Sequence, residues 1–156
     1  MKDFRRLRLS STVFLSCGLW LVALGLCFIL LRPALLLEDP RYIGASIDAI
    51  RAAVPGLERW LGHVFNVVGG FMVATSVLMG LAACRFLAKR ERGTFAALVV
   101  AGATSVGLMS ATNFLLNSDF WWLFLLPALL WLFGLACYLR ELDLPDAAKP
   151  PVSKAE

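Results

Sequence analysis

The sequence predicts an all-α integral membrane protein, a four-helix bundle running up-down-up-down with a short amphipathic helix in its outer loop. Three observations carry that class. First, 60% of the 156 residues are hydrophobic and only 17% are charged, against about 45–50% and about 25% in a soluble domain. Second, the apolar residues gather into four blocks, each about as long as the ~20 residues that cross a ~30 Å hydrocarbon core. Third, Lys and Arg collect in alternate connections between the blocks. The mean hydropathy of +0.77 excludes a disordered chain, a nucleic-acid-binding domain and an ordinary cytosolic enzyme.

Span one runs from Val13 to Leu31 without a charge, between Arg8 and Arg32. It is longer than the roughly 7–15 residues of a signal-peptide core. The chain continues Arg32-Pro33-Ala34-Leu35 rather than into a small-residue cleavage site, so the block reads as an uncleaved helix. The long connection from Glu38 to Arg59 follows. In it Ile43, Ile47, Ile50 and Val54 fall on one helical face, and Pro55-Gly56 ends the element. Span two covers 61–83, span three 95–116 and span four 120–139. With no water to satisfy the backbone inside lipid, each is a helix. Residues 1–140 form the membrane domain. Residues 141–156, with Pro145, Pro150 and Pro151 among charges and alanines, read as a disordered tail.

Eleven Lys and Arg lie on one side, in the N-terminal tail, the link between spans two and three, and the C-terminal tail. Arg32, Arg41, Arg51 and Arg59 lie on the other. This asymmetry places both termini in the cytoplasm of a bacterial inner membrane. Trp60 and the run Phe120-Trp121-Trp122 sit at the outer ends of spans two and four, and Tyr138 at an inner end, where amphipathic rings favour the headgroups.

Membrane helices associate through small residues that let backbones approach. Span three carries the densest set, Ala103, Gly107 and Ala111, and span two carries Gly70 with Ala74. Span four is rich in Leu, Phe and Trp. The expectation is a central span three and a lipid-facing span four.

Chemistry is sparse. There is one histidine, and Cys17, Cys27, Cys84 and Cys137 form no C-x-x-C pair. No ionisable residue lies mid-span, where carriers keep proton relays. No catalytic residue, metal or cofactor is predicted. A polar set does collect near the outer face: His63, Asn66, Asn113, Asn117, Asp119 and Arg32. These are the candidate ligand-binding residues. The plainer alternative is an interhelical hydrogen bond between Asn66 and Asn113, worth ~0.6–2 kcal/mol.

The stretch Asn66-Val67-Val68-Gly69-Gly70-Phe71-Met72, the basic turn Arg90-Glu91-Arg92-Gly93 and a first span ending near Pro33 resemble the small bacterial DoxX-like membrane proteins. The resemblance covers most of the chain by hydropathy. It implies the four-helix layout and brings no catalytic residue with it. The expected function is that of a non-enzymatic accessory or interaction subunit. The alternative is a small transporter, or a lipid- or small-molecule-binding protein with a polar pocket near the outer face. Expected partners are membrane lipids and another membrane protein or a second copy, with no nucleic acid.

Overall fold

The computed structural model describes residues 8–85, 87 and 93–143. Among these the regular elements are helices and no strand occurs. Helix one is Leu9–Leu30, helix two Leu57–Arg85, helix three Thr94–Leu115 and helix four Trp121–Asp143. All four are long and apolar enough to cross a membrane, as a membrane helical bundle requires. Residues 144–156, and with them most of the predicted tail, lie outside the described residues. So does Arg90-Glu91-Arg92.

Helix one begins four residues before the apolar block because its first hydroxyls have partners. Ser10 donates from N–H and O–H to the Glu141 carboxylate, at 2.9 and 2.6 Å. Ser11 donates to the Ala83 carbonyl at 3.0 Å. Both serines are buried at the junction of helices one, two and four. Helix two starts directly after Pro55-Gly56 and takes in Glu58, Arg59 and Trp60.

The long connection departs from the predicted single amphipathic helix. It forms two short helices, Asp39–Ile43 and Ile47–Ala53. Gly44 closes the first at φ 75°, a left-handed conformation that glycine adopts without a Cβ penalty. The Ser46 hydroxyl caps the second by accepting from Ala49 N–H at 3.2 Å. These two local signals break the apolar stripe, leaving Ile50 buried and Ile43 and Val54 exposed.

In space the long helices run two, one, four, three. Helix one packs against helices two and four, and helix three packs against helix four. The expectation of a central helix three is therefore corrected: 17% of its most apolar stretch is buried, against 39% for helix one and 33% for helix four. Gly70, Ala74, Ala103 and Ala111 are exposed. A Cβ added at Gly70 meets nothing, and one at Gly107 meets only Gly102 of its own helix. Small residues measure how near a partner can come; they do not determine which face has one.

Close approach occurs elsewhere. A Cβ at Gly69 would lie 2.6 Å from the Gly25 carbonyl oxygen, and one at Gly25 2.8 Å from that of Gly69. Helix four becomes central because its large side chains enter small hollows. Trp131 lies on Gly102 and donates from its indole to the Leu98 carbonyl at 3.0 Å. Phe14 fills the hollow at Gly134 and meets Trp131 edge-on, with centroids 5.3 Å apart. Pro127, inside helix four, has no N–H for the carbonyl four residues earlier. That carbonyl, on Leu123, accepts from the Trp20 indole at 3.3 Å, so the proline's lost bond becomes an interhelical one. Helix three carries a π-turn over Ala103–Gly107, where Leu108 N–H reaches the Ala103 carbonyl.

Candidate functional site

The ends of these helices enclose a cavity of about 400 Å³. Its walls come from all four long helices: Cys27 and Phe28 on helix one, Val68 on helix two, Met109 and Asn113 on helix three, and Phe124 on helix four. Pro33, Leu36 and Glu38 of the long connection, with Ser118 and Phe120 of the 117–120 turn, complete the lining at the loop end. Most of this surface is apolar. Arg32, Glu38, Asn113 and Ser118 bring the polar groups.

Arg32 is placed by the end of helix one. Its backbone N–H and that of Leu31 both donate to the Cys27 carbonyl, at 2.8 and 2.9 Å, which tightens the last turn before Pro33. The guanidinium then lies 3.5 Å from the Phe65 ring centroid and 5.2 Å from that of Phe28. Stacking on aromatic faces is a geometry arginine favours. Among the described residues no carboxylate lies within ion-pair distance of it. Burial pulls its pKa below the ordinary arginine value, opposed by the nearby charges of Asp39 and Glu38. It remains a cation at physiological pH.

Glu38 does the opposite work. Its carboxylate is buried and accepts from the Ser118 hydroxyl at 2.9 Å and the Asp119 N–H at 2.6 Å. Arg41 approaches Glu38 at 3.5 Å and donates to Asp119 at 2.6 Å. The hydrogen bond it donates to Asp119 raises the Arg41 pKa above its ordinary value. Together these bonds tie the long connection to the 117–120 turn across the loop end of the cavity. The turn itself depends on Asn117 at φ 48°, a conformation asparagine tolerates better than most residues.

Of the six candidate ligand-binding residues, the structure brings Arg32 and Asn113 into the cavity. Asn113 donates to the Met109 carbonyl of its own helix at 2.9 Å, not to Asn66. His63 and Asn66 are exposed and outside the lining. Asn117 is exposed beside Arg41 and Tyr42, and Asp119 is committed to Arg41. Cys27, Glu38 and Ser118 were not among the candidates. The only sequence signal for the last two is that each is polar and abuts an apolar run at the outer end; their pairing spans 80 residues and no local pattern reveals it. Among the described residues no three His, Cys, Asp or Glu gather as metal ligands. With Glu38 and Ser118 bonded to one another, the cavity offers a fixed cation and an amide at one end of an apolar chamber, an arrangement suited to an anionic head on an apolar body.

Comparison of the chain with protein-family models, curated proteins and solved structures finds no match.

Proposed function

We propose that this chain is a polytopic membrane protein that binds a small amphiphile, anionic at one end, in the pocket around Arg32. In this reading the four helices run up-down-up-down through a bacterial inner membrane in the DoxX-like layout. Both termini are cytoplasmic and the pocket lies at the outer face. The single observation that carries it is Arg32 itself: a half-buried guanidinium packed against the Phe65 and Phe28 rings, with no carboxylate within ion-pair distance among the described residues. The nearby charges of Asp39 and Glu38 offset only part of the cost of desolvating this cation, and an anionic ligand in contact with it offsets more. Binding rather than turnover is proposed, because Glu38, the pocket's carboxylate, is occupied by Ser118 and the Asp119 N–H.

The test is thermal unfolding of purified protein in a neutral detergent with an alkyl phosphate added. A ligand that binds only the folded state at ~100 times its Kd stabilises by about 2.7 kcal/mol. Arg32→Gln is expected to abolish the rise in Tm while Arg59→Gln retains it. An equal rise in both variants, or none in the parent protein, counts against the pocket.

A second reading, an accessory subunit that docks on another membrane protein, is favoured by helix three, where Ala103 and Ala111 are exposed. Stoichiometric co-purification of one partner from mild detergent, lost in Ala103→Leu, supports that reading over the first.

A further inference from the structure

The pocket has two possible entrances, and the bonding around them differs. At the loop end, Glu38 is held to Ser118 and to the Asp119 N–H, and Arg41 to Asp119, at 2.6 to 2.9 Å. Leu36 N–H is fixed to the Asp39 carboxylate at 2.7 Å, so the connection lying across that end is itself braced. Among the described residues no comparable tie joins helices two and three. Each packs on a different neighbour, and their backbones make no extended contact with one another. Yet Val68 of helix two and Met109 of helix three line the same cavity. A second apolar cavity of about 300 Å³ lies between the same two helices further along, reaching Thr75 and Ala101 and backed by Trp131. The gap between helices two and three is therefore an apolar crevice along the side of the molecule, with a cation at one end.

We propose that the ligand of the Arg32 pocket is an acidic membrane lipid that enters sideways, between helices two and three, rather than a soluble anion arriving from the water. The proposal rests on the pocket reading above and names its ligand class. The phosphate or carboxylate head meets Arg32 and Asn113, while at least one acyl chain leaves past Val68 and Met109 into the crevice. Charge and polarity agree with that orientation at both ends. Arg32 meets the anion, and Val68 and Met109 present only apolar surface to the chain. A water-soluble anion would leave the apolar walls of a 400 Å³ chamber without a partner.

The experiment follows Cys27, which lines the pocket. In the Cys84→Ser protein it is the accessible thiol, since Cys17 and Cys137 are buried. The protein is placed in phosphatidylcholine vesicles with or without phosphatidic acid, and alkylation of Cys27 is timed. Phosphatidic acid at about ten times its Kd is expected to slow alkylation roughly tenfold, whereas glycerol 3-phosphate leaves the rate unchanged. A phosphatidic acid carrying a diazirine on its chain should crosslink near Val68 and Met109, and Arg32→Gln should remove those adducts. Equal protection by glycerol 3-phosphate overturns sideways entry but leaves the pocket reading standing. Adducts confined to the outward-facing Leu129, Leu132 and Phe133 also overturn it. If neither compound slows alkylation, the pocket reading falls as well.

Discussion

The seam between helices one and two and the crevice between helices two and three are built from similar residues and behave oppositely. At the seam, Gly25 and Gly69 bring two backbones so close that neither position has room for a methyl group. One residue further along helix two, Gly70 faces open space. A turn of about 100° per residue separates a seam with no room for a methyl group from a surface with no partner. A glycine in a membrane helix therefore acquires meaning only from what lies opposite it. Helix two uses one face to hold the fold together and leaves another beside an opening.

The largest expected effect tests that contrast directly. Gly69→Leu should destabilise the protein by about 3 kcal/mol, because the added side chain must separate two backbones. Gly70→Leu should change stability by less than ~0.5 kcal/mol. Thermal unfolding of both variants in one detergent measures the difference; equal losses would erase the distinction between the two faces. An intermediate effect is expected at the loop end of the pocket. Glu38→Ala leaves the Ser118 hydroxyl and the Asp119 N–H without their acceptor, at a cost of about 2 kcal/mol. Arg41→Ala, which removes an exposed pair, should shift Tm much less. Glu38→Ala should also quicken alkylation of Cys27 by a soluble reagent, and an unchanged rate would argue that the loop end is not a barrier. The smallest effect concerns the asparagines. With Asn66 exposed and Asn113 bonded within its own helix, Asn66→Leu and Asn113→Leu should each cost little and add when combined. A double variant no worse than the single ones would reveal a bond between them.

The four helices were legible because mean hydropathy over a span is a sum, insensitive to any one residue. Their neighbours were not. Counting small residues nominated helix three as central, but the deciding interactions were large side chains entering hollows: Trp131 at Gly102 and Phe14 at Gly134. Size complementarity between distant segments has no local periodicity. The serines at the start of helix one illustrate the same gap, since Ser10 and Ser11 look like a boundary until Glu141 and the Ala83 carbonyl are brought beside them. At the candidate site, Arg32 could be read because it interrupts an apolar context alone. Glu38 and Ser118 could not, as their roles arise from meeting one another. The long connection was half legible: its apolar spacing was visible, but Gly44 and Ser46 outweighed it.

The order of packing also bears on how the chain is assembled during synthesis. Residues emerge from the ribosome in sequence, N-terminal segments first. Helix one finds its seam partner as soon as helix two follows it, so the first hairpin has its glycine contact before helices three and four are made. Helix three then emerges with little to dock on, because its packing surface is helix four. It must wait for Trp131 and the segment around it. Helix four is the closing piece: its arrival joins the finished hairpin to the waiting helix and, through Glu141 and Ser10, fastens the last helix made to the first.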